Sequence, residues 1–116
     1  MALGLRGRVA LITGGSKGIG RTVARSLAKE GARLAICARG EPELAAAAEE
    51  LRGLGADVLH VKADVSRPDD IRRFVDAAAT RFGRIDILLN NAVSSSQASF
   101  ADLPDEEWKK DRKSVV

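Results

Sequence analysis

Residues 9–20 read VALITGGSKGIG, in which a short apolar run leads directly into a glycine-rich loop. The apolar run is typical of a strand that is buried on both faces of a parallel sheet. Apolar residues recur at helical spacing from Ile19 onward, so the loop joins a strand to a helix. The N–H groups and the positive dipole end at such a helix N-terminus favour a phosphate or pyrophosphate. The stretch therefore predicts an anion-binding loop.

Two other interpretations of this loop stay open. Residues 15–22 have the spacing of the P-loop of nucleoside triphosphatases, G-x-x-x-x-G-K-[ST]. Arg21 stands where that motif has the lysine that reaches the β- and γ-phosphates, which makes the P-loop the weaker alternative. The third interpretation is a tight strand-to-helix turn that binds no ligand.

Strand-like and helix-like patterns alternate outward from this loop along the whole chain. Apolar runs predict strands over residues 8–13, 33–38, 57–62 and 84–90. Helical stripes follow the first three runs, and Ser66 with Asp69 forms a capping-box pattern before the third helix. This alternation predicts an α/β fold with a parallel sheet and helices on both of its faces. We expect one domain over residues 1–116.

Composition and charge exclude several classes of function. The net charge is +3 and the sequence has no long basic block, so we expect no nucleic-acid partner. No apolar run is long enough to span a bilayer, and we expect no membrane association. The single cysteine, Cys37, suits the reducing cytoplasm and is expected in the core. The single histidine, His60, lies mid-strand, so we expect no metal site.

Three motifs in this order resemble the short-chain dehydrogenase/reductase family. They are TGGSKGIG at 13–20, Asp64-Val65 after the third predicted strand, and Asn90-Asn91-Ala92 after the fourth. The resemblance covers residues 5 to about 108 and is closest in look to 3-oxoacyl-carrier-protein reductases. It implies a Rossmann-like NAD(P)-binding sheet in the order 3-2-1-4, here truncated after the fourth strand. Ligands of such sheets bind at the carboxyl ends of the strands.

The resemblance also implies a role for each motif residue. The residues expected around the phosphates and the adjacent ribose are Gly14, Ser16, Lys17, Gly18, Ile19 and Gly20. Asp64 would accept a hydrogen bond from the adenine amino group, and Val65 would pack beside the ring. Asn90 would contact the adenosine ribose region and tie the central strands together. Asn91 and Ala92 complete the site.

The residue that follows Asn90-Asn91-Ala92 departs from the family pattern. Val93 stands where the family usually has glycine, and a β-branched residue resists positive φ and adds bulk near the nicotinamide.

The end of the second strand indicates which nicotinamide cofactor the chain prefers. Ala38 occupies the position where an acidic residue would bind the ribose hydroxyls and repel a 2′-phosphate. Arg39 follows it, and Lys17 adds a positive charge beside the loop. We therefore expect NADP(H) to be preferred, with NAD(H) as the alternative. Glu41 could neutralise Arg39, in which case Arg39 would be only a solvated residue.

The resemblance implies hydride transfer between a nicotinamide and a small carbonyl or alcohol, with proton transfer by a tyrosine of a Tyr-x-x-x-Lys motif. The chain contains no tyrosine, so we expect no catalytic residues in it. Residues 104–116 form an atypical tail, with Val115 where the family has a helix-borne asparagine.

We therefore expect a cofactor-binding half that is inactive and marginally stable alone, and that could be completed by a second polypeptide. Its apolar fourth strand would be an exposed edge open to self-association. The alternative is a non-catalytic nucleotide-binding or protein-interaction module.

Overall fold

A computed structural model of the chain describes residues 4–14 and 18–90, together with the backbone of 113–114. Strands and helices alternate as the apolar pattern predicts. The elements in chain order are β1 (Val9–Thr13), α1 (Gly18–Lys29), β2 (Arg33–Ala38), α2 (Glu41–Gly53), β3 (Val58–Lys62), α3 (Pro68–Phe82), β4 (Ile87–Asn90) and β5 (Lys113–Ser114).

The strands form one parallel sheet in the order β3-β2-β1-β4-β5. The predicted order of the first four strands is confirmed. The prediction that β4 would be the exposed edge is wrong over its first half, because Ile87 and Leu88 pair with Lys113 and Ser114 of β5. A strand of two residues is too short to show as an apolar run in the sequence, which is why the prediction missed it.

Helices cover both faces of the sheet, and each face has its own apolar core. On one face, α1 and α2 pack on alternate strand residues such as Ala10, Ile12 and Leu34. On the other face, α3 packs through Phe74 on residues that include Leu11 and Cys37. Strand β1 is buried along its whole length, which is the reason its sequence is continuously apolar.

Some local expectations differ from the structure. The capping box at Ser66 and Asp69 is wrong, because the residue that precedes α3 is Arg67 and it makes no side-chain capping bond. Pro68 instead begins the helix with a φ that is already suited to it. Ile19 and Leu54 fit helical stripes in the sequence but are 72% and 41% exposed. Ile19 is the second residue of α1, and Leu54 directly follows the last residue of α2.

A buried carboxylate joins the amino ends of β1 and β4. Asp86 is 5% exposed, and its Oδ2 accepts the N–H of Val9 at 2.9 Å. Arg84 donates to both carboxylate oxygens, at 2.8 and 2.7 Å, and Arg8 approaches Oδ1 at 3.4 Å. Burial by itself would raise the pKa of Asp86, but the bonds from Arg84 and Val9 outweigh it and lower that pKa.

Two arginines cover the open edge of β3. Alternate carbonyls of a strand in a parallel sheet point toward its partner, and here Asp57 O accepts the N–H of Leu34. The carbonyls of Val58 and Lys62 therefore point to the open edge. Arg52 Nη2 donates to Val58 O at 2.9 Å, and Arg73 Nη2 donates to Lys62 O at 2.6 Å. These guanidinium groups occupy acceptors that another strand would need.

We expect Asp86→Ala to lower the free energy of unfolding by about 1–3 kcal/mol, because the buried N–H of Val9 loses its acceptor. Asp86→Asn keeps an acceptor and should cost less. The folded pKa of Asp86 is lowered, so its ionised form stabilises the fold above the ordinary aspartate pKa of about 3.9, and this contribution disappears as the pH falls through the folded pKa. Urea unfolding of wild type and Asp86→Asn between neutral and acid pH measures it. A stability difference that stays constant over that range would contradict the assignment.

We expect the double variant Arg52→Ala/Arg73→Ala to self-associate with rising protein concentration, because two strand carbonyls at the β3 edge lose their donors. Sedimentation velocity measures the association. The control Lys29→Ala/Arg39→Ala removes the same charge from exposed positions that bond no strand carbonyl in the described part of the chain. Equal association in both double variants would attribute the effect to net charge alone.

Candidate functional site

The residues predicted to bind a ligand follow four neighbouring strands at one edge of the sheet. Gly14 follows β1, Arg39 follows β2, Asp64 lies two residues after β3, and Asn90 ends β4. The strands are parallel, so all four positions lie at the carboxyl edge. This is also where the chain order changes direction between β1 and β4, the usual ligand site of an open α/β sheet.

A hydrogen bond joins β1 to β4 at this edge. Thr13 is buried, and its Oγ1 donates to Asn90 Oδ1 at 3.0 Å. The two residues are also paired in the sheet register. Asn90 thus ties the central strands, as the resemblance implies, while its contact with a ribose stays a prediction.

The two described glycines on either side of the loop have a backbone conformation that favours glycine. Gly14 and Gly18 have φ of 67° and 65°, values that side chains with a Cβ rarely adopt. The N–H of Gly14 donates to Cys37 O at 2.9 Å, which attaches the start of the loop to β2. Gly18 and Ile19 are exposed at the beginning of α1, whereas Gly20 is buried. The first N–H groups of a helix have no acceptor within it and are available to an anion.

Other residues of the predicted site lie outside the described part of the chain. They are Ser16, Lys17, Asn91 and Ala92, and Val93, the residue that departs from the family pattern, also lies there. The contacts predicted for Ser16 and Lys17 with phosphates stay predictions.

The residues that suggested a P-loop make other contacts. Arg21 Nε donates to Glu50 Oε1 at 2.8 Å, and Arg25 Nε donates to Glu50 Oε2 at 2.8 Å. These two bonds lower the pKa of Glu50. Thr22 Oγ1 donates to Gly18 O at 3.2 Å. Arg21 therefore reaches toward α2, which argues against the triphosphatase interpretation.

A cleft of about 330 Å³ lies beside the carboxyl ends of β2 and β3. Four cationic and two acidic side chains line it. The lining residues are Arg39, Lys62, Ala63, Asp64, Arg67, Asp70 and Arg73. Of this group, only Arg39 and Asp64 are predicted from the sequence to bind a ligand. The register that pairs Ala38 with Lys62 brings the ends of the two strands together, and α3 begins over them.

The cations of the cleft differ in their partners. Arg73 pairs with Asp70 at 3.2 Å and also holds the carbonyl of Lys62. Within residues 4–14 and 18–90, the side chains of Arg39, Lys62 and Arg67 form no ion pair with a carboxylate. The cleft therefore has three cationic groups that can meet an anion from solution.

Asp64 has a fixed carboxylate in this cleft. Its Oδ1 accepts both the N–H of Ser66 at 2.9 Å and the Ser66 Oγ at 2.7 Å. Its own N–H donates to Asp70 Oδ2 at 2.9 Å. The bonds from Ser66 lower the pKa of Asp64, and the charges of Arg39 and Arg67 lower it further. Val65 is half-buried and packs against the α3 face of the core.

Cys37 and His60 could suggest thiol or metal chemistry, but their surroundings do not favour it. Burial raises the pKa of Cys37 to about 12, so this thiol is a poor nucleophile. His60 Nδ1 lies 3.3 Å from Arg52 Nη2 at the β3 edge, away from the cleft. In the described part of the chain, no helix has the length and apolar character that crossing a membrane requires.

Comparisons with known proteins agree with this geometry. The sequence model of the short chain dehydrogenase family matches residues 8–112. A granaticin polyketide synthase putative ketoacyl reductase from Streptomyces violaceoruber is 49% identical over 100 residues, which are 86% of this chain and 37% of that protein.

Solved structures show the same likeness. L-Sorbose reductase from Gluconobacter frateurii, in complex with NADPH and L-sorbose, is 40% identical with a TM-score of 0.78, over 94% of this chain and 42% of that one. A short chain dehydrogenase/reductase from Burkholderia phymatum in complex with NAD is 37% identical with a TM-score of 0.71, over 72% of this chain and 30% of that one.

The match is extensive for this chain and partial for its relatives, since the chain spans less than half the length of the proteins it matches. The family model covers most of the chain, and the sheet order, the glycine loop and the motifs after β3 and β4 all accord with it. This chain belongs to the short-chain dehydrogenase/reductase family.

Proposed function

We propose that this chain binds NADP(H) and supplies the dinucleotide-binding part of an oxidoreductase that acts on a small carbonyl or alcohol. The observation that carries the proposal is the cleft beside β2 and β3, which Arg39, Lys62 and Arg67 line together with Asp64. The cations suit an anionic group, and the ionised carboxylate suits an amino group. An adenosine 2′-phosphate presents both.

The charge of the cleft favours NADP(H) over NAD(H). No acidic residue stands at the end of β2, where Ala38 is followed by the exposed Arg39. A guanidinium group binds phosphate oxygens in a bidentate manner and with charge assistance. Relatives hold either cofactor, NADPH in the L-sorbose reductase and NAD in the Burkholderia protein, so the preference rests on these side chains.

The glycine loop fits the remaining phosphates. Gly14 and Gly18, on either side of the loop, have positive φ, and the 12-residue helix α1 begins at Gly18. The helix dipole and its first N–H groups favour a pyrophosphate at this point. The bond from Thr13 to Asn90 holds the adjacent ends of β1 and β4 at a fixed spacing. When bound, NADPH supplies a hydride, and the residues of this chain bind and orient it.

The catalytic proton transfer needs residues that these 116 positions do not contain. The sequence has no tyrosine, whereas the family reaction uses one as its general acid or base. We therefore propose that this polypeptide binds the cofactor without turning over a substrate by itself. A segment that supplies the tyrosine would complete the site. The single reduced thiol suits a cytoplasmic protein, which is our proposed location.

We expect Arg39→Ala to weaken NADP⁺ binding by on the order of tenfold or more, because a charge-assisted bond to the 2′-phosphate is lost. NAD⁺ has no phosphate at that position, so its affinity should change little. Isothermal titration calorimetry measures both dissociation constants. The control Lys29→Ala removes a positive charge from the carboxyl end of α1, on the side of the sheet where the strands begin and far from the glycine loop. An equal loss for both cofactors would refute the role of Arg39.

We expect the purified chain to bind NADPH and to leave it unoxidised in the presence of small ketones and aldehydes. The measurement is the absorbance of NADPH at saturating cofactor, with a tyrosine-containing member of the family as the positive control. Carbonyl-dependent oxidation of NADPH by the chain alone would overturn the proposed inactivity. Failure to bind NADPH would overturn the proposed function itself.

A further inference from the structure

The segment between β3 and α3 contains a hydrogen-bond network centred on Asp64. Ser66 donates twice to Asp64 Oδ1, from its N–H and from its Oγ. The N–H of Asp64 donates to Asp70 Oδ2 at 2.9 Å. One neighbour therefore fixes the rotation of the Asp64 carboxylate, and the other fixes its backbone.

The network leaves Asp64 with one oriented acceptor. An ionised carboxylate can accept hydrogen bonds at both oxygens. Oδ1 receives both bonds from Ser66, and no donor among residues 4–14 and 18–90 bonds Oδ2. Asp64 lines the cleft together with Arg39 and Arg67, whose charges act on its carboxylate. Oδ2 is thus the acceptor that Asp64 offers to a ligand in the cleft.

Asp70 is held in place by Arg73. Its Oδ1 pairs with Arg73 at 3.2 Å, and Arg73 Nη2 donates to the carbonyl of Lys62. These contacts connect the first turn of α3 to the end of β3. The position of the Asp64 backbone is consequently set by α3 as well as by the strand.

We propose that Ser66 and Asp70 are positioning residues that direct Asp64 Oδ2 to the exocyclic amine of the adenine ring, and that they set the selectivity of the cleft for adenine over a 6-oxo purine. The inference rests on the proposed function. A 6-oxo purine places a carbonyl oxygen where adenine has its amine, and that oxygen repels a fixed carboxylate. If the carboxylate could rotate, it could instead accept from the N1–H of the 6-oxo ring. Selectivity therefore depends on the bonds that prevent rotation.

The test compares NADP⁺ with nicotinamide hypoxanthine dinucleotide phosphate, using calorimetry on the whole chain. Wild type should bind NADP⁺ about tenfold more tightly, the effect expected of one hydrogen bond to a charged group. Ser66→Ala removes the Oγ donor and should bring the two affinities to within about threefold of each other. Ser66→Thr keeps a hydroxyl and should preserve the preference.

A second pair of variants tests Asp70 with matched charge. Asp70→Ala should reduce the adenine preference, because the Asp64 N–H loses its acceptor. Asp69→Ala removes the same charge from the same turn of α3, at an exposed residue that does not bond Asp64, and should leave the preference unchanged.

A measurement without cofactor tests the hydrogen bonds from Ser66 to Asp64. NMR titration of Asp64 in the free chain should show a higher pKa in Ser66→Ala than in Ser66→Thr, because the hydroxyl bond contributes most to lowering that pKa.

The outcomes separate the inference from the proposed function. A wild-type ratio retained by both Ser66→Ala and Asp70→Ala would overturn the positioning role and leave the proposed function standing. Equal wild-type affinity for the two dinucleotides would do the same. Wild type that binds neither dinucleotide would overturn both. A reduced ratio in both variants, with Ser66→Thr and Asp69→Ala unchanged, would establish the inference.

Discussion

The register of β1 between β2 and β4 is the constraint on which the rest of the structure depends. Thr13 pairs with Cys37 on one side and with Asn90 on the other, so β1 and β4 end at the same level and β2 ends one residue beyond it. That level fixes where the glycine loop begins and where the motifs after β3 and β4 emerge. A slip of one residue would turn Leu11 and Ile12 toward the wrong helices and would misplace each of these motifs.

The candidate site has two separate parts, one made of uncharged backbone groups and one made of charged side chains. At the end of β1 and the start of α1, Gly14 and Gly18 have positive φ, and the first N–H groups of α1 are uncharged donors. The cleft after β2 and β3 offers side chains, three cations with no carboxylate partner in the described ranges and one oriented carboxylate. A dinucleotide has the length and the charge distribution to engage both places, whereas a single anion would need only one of them. This division is the physical reason for proposing a dinucleotide.

Strand and helix positions could be predicted because buried parallel strands are continuously apolar and the helices are amphipathic. The third helix ends at Gly83, which has φ of 76°, a conformation that favours glycine at a helix end. The capping-box prediction for Ser66 is wrong because a serine three residues before an acid, here Asp69, fits that pattern. In the structure, Ser66 Oγ instead donates to Asp64, two residues before it. The convergence of Lys62, Arg67 and Asp70 depends on strand register and on the placement of α3, which linear spacing does not encode.

The β1–β4 pair is joined at its two ends by contacts of different kinds. At the amino end the contact is the ionised Asp86 with Arg84 and the N–H of Val9, and at the carboxyl end it is the uncharged bond of Thr13 to Asn90. Protons can weaken only the first. Acidification therefore loosens this strand pair from the end remote from the glycine loop, and amide hydrogen exchange along β1 would become faster at Val9 while Thr13 stays protected. Protonation of Asp86 therefore weakens the amino half of β1, whereas the carboxyl half, which precedes the glycine loop, keeps its contacts.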